Sequence, residues 1–250
     1  MPECGKCGGF TDRCYGMSSR LKEPWCDRCQ EKYPSEFESF RKQWVSRNAK
    51  TLLREMGVSP IYRSCRFDSF EFHTEDQRRV QEAVQEWATG GNERGLFLCG
   101  GIGTGKTHLA VAALLEKRAH GARCLFTSVQ ELLLRCRDSF RRGEGGLEEV
   151  LEPLCDANAF LLDDLGTEKP TEFARETVAL VIDRAYRDRQ TIIITSNYDL
   201  GALPERLDAR SVDRLIEMCL AVKFTGPSYR QKLARQRANL RSFSASEAMQ

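Results

Sequence analysis

Eight consecutive residues, Gly100-Gly101-Ile102-Gly103-Thr104-Gly105-Lys106-Thr107, spell G-x-x-x-x-G-K-[ST]. Glycines at these places let backbone N–H groups turn inward around a phosphate chain. The lysine ammonium reaches the β- and γ-phosphates, and the threonine hydroxyl ligates Mg²⁺ at the first turn of the following helix. The flanks suit this chemistry, since Leu96 to Cys99 reads as a buried strand and His108 to Leu115 as a helix. All eight residues are expected to bind a nucleoside triphosphate, with ATP and Mg²⁺ as cofactors. Lys106 is expected to face solvent until phosphate arrives. A Gly-rich turn that binds nothing is the alternative, and the flanks weigh against it.

The second half of such a site is a buried strand that ends in acid, and Ala159-Phe160-Leu161-Leu162-Asp163-Asp164 supplies it. Asp163 is expected to hold Mg²⁺ together with Thr107, through the ion's water shell. Asp164, next in line, would point to the other side of the strand end and is the candidate base that orients an attacking water. A third apolar run, Thr191 to Thr195, ends in Ser196-Asn197, which puts an amide at the carboxyl edge of a parallel sheet, where ligands bind.

Four of the eleven cysteines stand apart from the rest. Cys4-x-x-Cys7 and Cys26-x-x-Cys29 are separated by eighteen residues, within the spacing of a four-thiolate zinc site. Gly8-Gly9 would let the backbone fold beneath the ion. Zn²⁺ is the expected ligand, a redox pair or free thiols the alternative, and Cys14 could replace one of the four. The other thiols, Cys99 and Cys124 among them, read as core residues.

The elements that must hold these groups are legible in outline. At 250 residues the chain accommodates one sizeable core and a small module. The net charge of +2 assigns nucleic-acid binding to local patches only, and no apolar run is long enough to span a bilayer. The start, Met1-Pro2-Glu3-Cys4, lacks the features of a signal peptide, so a cytoplasmic protein with no membrane partner is expected. Residues 1–33 read as the four-cysteine module, and 34–56 as one amphipathic helix carrying Phe37, Phe40, Trp44, Val45, Leu52 and Leu53. Whether its apolar face packs on this chain or on a partner is open. Residues 57–94 form an aromatic-rich connector and a helix capped near Thr74, with Val80, Val84 and Trp87 inward. Over 95–230 strands at 96–99, 122–127, 159–163, 191–195 and 219–224 alternate with helices. That pattern predicts a three-layer αβα fold around a parallel five-stranded sheet.

Two basic stretches stand out. Ser128 to Asn158 is longer than one crossover needs and carries Arg135, Arg137, Arg141 and Arg142, which either track a phosphate backbone or simply solvate a helix end. The tail, 231–250, continues a run from Tyr229 to Ser242 that contains Arg230, Lys232, Arg235, Arg237 and Arg241 and no acid.

Together these motifs resemble the core of AAA+ ATPases, and more closely the DnaC-type replicative helicase loaders and their IstB-like relatives. The likeness spans Gly57 to Arg230. Its marks are Gly57-Val58-Ser59-Pro60-Ile61-Tyr62-Arg63 with Arg66-Phe67-Asp68-Ser69-Phe70, then the phosphate loop, then Leu162-Asp163-Asp164-Leu165-Gly166, then Thr195-Ser196-Asn197. The resemblance implies that Asn197 is the sensor of the hydrolytic water. It makes Arg210 an arginine finger aimed at a neighbouring subunit's ATP, with Arg214 one turn on able to share that task, and Arg230 a second sensor. It places Arg135, Arg137, Arg141 and Arg142 on a single-stranded DNA path.

Most AAA+ proteins have Glu where this chain has Asp164, whose shorter arm implies slow hydrolysis; the resemblance further implies that hydrolysis is Mg²⁺-dependent and stimulated by DNA or by self-association through the ATP site. The cysteine module is similar to one that grips a hexameric helicase in some loaders. A helicase loader is therefore the first expectation. A transposition helper ATPase of the IstB kind is the second, and a small-molecule P-loop kinase the third.

Overall fold

The computed structural model describes residues 6–7, 27–90, 94–143, 146–232 and 234–235. Five runs of consecutive apolar residues become strands: β1 (Gly95–Gly100), β2 (Cys124–Ser128), β3 (Ala159–Leu165), β4 (Thr191–Ser196) and β5 (Cys219–Phe224). All pairings are parallel, in the order β2-β3-β4-β1-β5. A parallel strand buried on both faces sends alternate side chains to opposite layers, so an unbroken apolar run serves it better than an alternating one. Leu96, Leu98, Leu161 and Ile193 enter one layer with α2 (Pro34–Glu55), α3 (Glu75–Thr89) and α4 (Lys106–Ala119). Phe97, Phe160, Leu162, Ile192 and Ile194 enter the other, with α5 (Val129–Arg142), α6 (Gly146–Cys155), α7 (Glu172–Arg187) and α8 (Ala209–Met218). A short helix, α1 (Asp27–Lys32), precedes α2. The expected three-layer αβα architecture is the observed one.

Side-chain oxygens cap four of the helices, at Thr74 as expected and at three further starts. Thr74, Ser128, Thr171 and Asp208 each accept from a backbone N–H three residues on, at 2.9–3.2 Å. The long stretch between β2 and β3 resolves into two helices, α5 and α6, packed on each other.

The apolar face of α2 packs on this chain. Val45, Ala49, Leu52, Leu53 and Met56 are buried in the same cluster as Leu109 and Ala113 of α4. The Phe126 N–H, on the outer edge of β2, donates to the Met56 carbonyl at 2.7 Å. Arg41, only 6% exposed, bridges Glu38 on its own helix (2.6 Å) and Glu116 near the end of α4 (2.8 Å). At about 2 kcal/mol for each of the four large apolar side chains, the contact is worth roughly 8 kcal/mol as an upper bound. That is comparable with the whole stability of a typical domain, so α2 folds as part of the sheet domain.

Of the four expected zinc ligands, Cys4 and Cys26 lie outside the described residues, as does Cys14. Cys7 is exposed, and Cys29 is buried against Tyr33, Phe37 and Phe40. Lys6 pairs with Glu36 and lies 5.0 Å from the centre of the Tyr33 ring. Cys99 and Cys124 are buried strand residues, as expected, and burial pushes the Cys124 thiol up to about 12.

Candidate nucleotide site

The phosphate loop joins β1 to α4 and needs glycine where the chain turns most tightly. Gly103 and Gly105 take φ of +77° and +100°, and a β-carbon on them would lie 2.2 Å from Ser228 Oγ and 2.5 Å from Phe70 Cε2. Thr104 Oγ1 donates to the Gly101 carbonyl at 2.9 Å and closes the loop on itself. Gly105 supplies no side-chain cap to α4, so the first N–H groups of that helix stay available to an anion.

Lys106 departs from expectation. It is 5% exposed, and Nζ donates to the carbonyls of Gly100 (3.0 Å) and Gly101 (2.7 Å) and to Asn197 Oδ1 (2.9 Å). An ammonium withdrawn from water needs acceptors, and the loop's own carbonyls and the amide at the end of β4 provide them. Burial lowers its pKa, against the opposing pull of Asp164 and Asp163. Lys106 and Asn197, 91 residues apart in the chain, are thereby tied into one network.

Asp163 lies deeper. It is 2% exposed and accepts from Thr195 Oγ1 at 2.6 Å and from the Thr107 hydroxyl. Burial raises its carboxyl to about 6, reinforced by the charge of Asp164 and opposed by the two hydroxyls and Lys106. A carboxylate next to a threonine hydroxyl, with its charge undercompensated, is a donor set that suits a hydrated Mg²⁺ ion. Asp164 takes φ +60° and lines the cavity directly.

That cavity, of about 330 Å³, opens between the phosphate loop and two segments distant in sequence. The connector brings Tyr62, Phe70, His73 and Gln77, and the stretch after β5 brings Tyr229 and Arg230. Tyr229 N–H donates to the Gly103 carbonyl at 2.9 Å, and its ring stacks on His73 at 6.1 Å and 19°. Arg230 hydrogen-bonds the Tyr62 hydroxyl, whose pKa is raised by burial and by the nearby Asp163 and Asp164. These aromatic and amide groups form a slot beside the phosphate cradle, suited to a flat heterocycle. The sequence displays the connector's aromatic content and assigns it no role.

The other expected arginines lie elsewhere. Arg210, on the first turn of α8, has 77% of its side chain exposed, and its nearest acid, Asp183, is 4.0 Å away. Arg214 is 11% exposed, ion-paired with Asp183 and stacked 5.1 Å from the Tyr186 ring centre. Arg214 is thus held within its own chain, and of the pair Arg210 is the one presented outward. Arg135, Arg137, Arg141 and Arg142 are exposed on α5, near the exposed Leu134 and Phe140, with Arg135 paired to Glu131 and Arg137 over the Phe173 ring.

A phosphate loop, an acidic strand end and a polar β4 terminus on a β2-β3-β4-β1-β5 parallel sheet define an AAA+ P-loop nucleotide-binding protein. The family is narrower. A model of the IstB-like ATP binding protein family matches residues 38–237, and the chain belongs to that family. The replicative helicase loader DnaC of Escherichia coli (strain K12) is 23% identical over 180 residues, covering 71% of this chain and 74% of the loader. The crystal structure of the DnaC helicase loader superposes with a TM-score of 0.62 at 26% identity, over 67% of this chain and all of that one. AMPPCP-bound DnaA from Aquifex aeolicus shares the fold, with a TM-score of 0.57 at 23% identity over 72% of this chain and 56% of its own. Among the described residues no helix is long and apolar enough to cross a membrane, and no group of three or more metal-ligating side chains is gathered.

Proposed function

We propose that this protein is a slow, Mg²⁺-dependent ATPase that loads a hexameric replicative DNA helicase onto single-stranded DNA, with ATP as the switch. One observation carries the reading. Lys106, Asn197, Asp164 and Arg230 converge on one cavity while Arg210, on a different surface, is held out in solvent beside an Arg214 that is tied down. A site that carries Lys106 and Arg230 of its own, and a chain that holds a further arginine exposed on another surface, fit together when two copies associate and Arg210 adds a cation for the developing phosphate charge.

In this reading the phosphate displaces Gly100, Gly101 and Asn197 from the Lys106 ammonium. Freed from Lys106, Asn197 orients the attacking water, whose proton Asp164 accepts. Thr107 and Asp163 would hold Mg²⁺, whose chemistry is to neutralise the β- and γ-phosphate oxygens. Arg230 reads the nucleotide state from the cavity side, and Arg210 completes a neighbour's site. The exposed arginines of α5 would track single-stranded DNA, and a zinc ion on Cys4, Cys7, Cys26 and Cys29 would organise the module that meets the helicase. The likeness to DnaC supports the helicase as partner and a cytoplasmic place of action.

The test is a pull-down from host lysate with the tagged full chain carrying Asp164→Asn, loaded with ATP or ADP. ATP-dependent recovery of the replicative helicase is expected. Recovery of a transposase instead would move the protein to the transposition-helper reading. Recovery of neither, with ATP or with ADP, would refute the loader.

A further inference from the structure

Pairing between β3 and β4 slips at the acidic strand end. Leu162 lies beside Ile194 and Leu165 beside Ser196, so three steps along β3 are matched by two along β4. The extra length is a bulge made of Asp163 and Asp164, and it explains the left-handed φ of +60° at Asp164. A bulge leaves a backbone amide without a ladder partner, and a buried amide needs one. Here it finds a side chain: Asp164 N–H donates to Thr195 Oγ1 at 2.9 Å. The same hydroxyl donates to Asp163 Oδ1 at 2.6 Å. The direction of both bonds is forced, because an amide can only donate and a hydroxyl has a single hydrogen to give onward.

Thr195 is fully buried in a central strand whose preceding residues are Ile192, Ile193 and Ile194. Packing at that position would be served by valine, and a hydroxyl buried without partners would be a liability. Thr195 has partners on both sides, and they are the two consecutive carboxylate residues of the site. The other hydroxyl on Asp163 belongs to Thr107, at the start of α4, the group that phosphate and cation would claim. Once they do, Thr195 is the remaining side-chain anchor of the Asp163 carboxylate.

We propose that Thr195 is a positioning residue for the phosphate chemistry: its one hydroxyl fixes the Asp163 carboxylate and locks the bulge that turns Asp164 into the cavity. This rests on the ATPase reading above. It predicts that the hydroxyl matters for turnover and for the metal and not for holding nucleotide as such, since the phosphate cradle is built from the loop and Lys106.

The experiment compares Thr195→Val, which keeps the shape, with Thr195→Ser, which keeps the hydroxyl. Thr195→Val should bind a fluorescent ADP analogue in EDTA as wild type does. Its kcat should fall about 10- to 100-fold, the range for losing one hydrogen bond to a charged group, and its half-saturating Mg²⁺ concentration should rise. Thr195→Ser should restore both. Amide hydrogen exchange gives a readout independent of activity, in which the peptide containing Asp164 exchanges faster in Thr195→Val and at the wild-type rate in Thr195→Ser.

Wild-type kcat and Mg²⁺ requirement in Thr195→Val would overturn the proposal. So would a Thr195→Ser as slow as Thr195→Val, or a loss of metal-free nucleotide binding in step with turnover. A wild-type protein without ATPase activity would sink the functional reading alone. The exchange comparison would then still decide whether Thr195 holds the bulge, and unchanged exchange in Thr195→Val would overturn that too.

Discussion

Replacing Asp163 by Asn should make the protein more stable and useless. The Asp163 carboxyl is carried from 3.8 to about 6 in the folded chain, chiefly by burial. Its protonated form therefore favours the native state. That contribution is fully present below pH 3.8 and is lost as pH rises through about 6, so at neutral pH the ionised group costs the fold about 3 kcal/mol. Asparagine at this position would remove the charge and keep the geometry, with its side-chain carbonyl still accepting from Thr195 and its amide able to donate to the Thr107 oxygen. Part of the gain is returned, because Lys106 is buried nearby and loses a favourable charge.

A net stabilisation of about 1–2 kcal/mol remains, equivalent to about 2–8 °C in Tm for a chain of this size. Thermal unfolding in EDTA at pH 7.5 should show Asp163→Asn melting higher than wild type, with the gap closing as pH is lowered toward 4. Adding Mg²⁺ and ATP should raise the wild-type Tm well beyond that of the variant. An Asp163→Asn protein no more stable than wild type at pH 7.5, or a gap that does not shrink with acid, would refute the account of Asp163 as a strained, undercompensated charge.

Two further outcomes test the assembly. Arg210→Ala should bind ATP within about twofold of wild type and hydrolyse it about 10²- to 10³-fold more slowly. Mixing it with Asp164→Asn should then regain activity, because each variant supplies what the other lacks; a mixture no faster than the sum of its parts refutes the trans arrangement. Replacing Arg135, Arg137, Arg141 and Arg142 together with Ala should flatten the salt dependence of single-stranded DNA binding by up to about 3 in log–log slope, as read by fluorescence anisotropy across a salt series. An unchanged slope would make α5 an ordinary solvated helix.

The nucleotide loop and the five strands are legible because their signals are local. Glycine spacing declares a backbone that must turn inward, and an uninterrupted apolar run such as Ile192-Ile193-Ile194 declares a strand covered on both faces. Thr74 likewise announces a helix start that the structure bears out. What stays hidden depends on register or on distant chain. Simple alternation along Leu162-Asp163-Asp164 sends the two acids to opposite sides, and only the pairing with β4 reveals the bulge that reorients Asp164. Lys106 reads as solvent-facing because its acceptor Asn197 is 91 residues away. The cavity wall draws Tyr62, His73 and Tyr229 from both ends of the fold, and no spacing rule links them. The sequence leaves Arg214 able to share the task assigned to Arg210, and Asp183 on α7 is what separates them.

The docking of α2 also sets where chains of this design can be cut and rejoined. Gly57 looks like a natural seam, with a helix before it and a new motif after it. A break there would strip Val45, Leu52, Leu53 and Met56 from the core, orphan the Phe126 amide on the sheet edge and leave Glu116 without its buried arginine. Recombination that trades one front end for another while keeping the nucleotide-binding core intact must therefore fall ahead of α2 and carry that helix along as part of the core. The family match, over residues 38–237, likewise takes in most of α2.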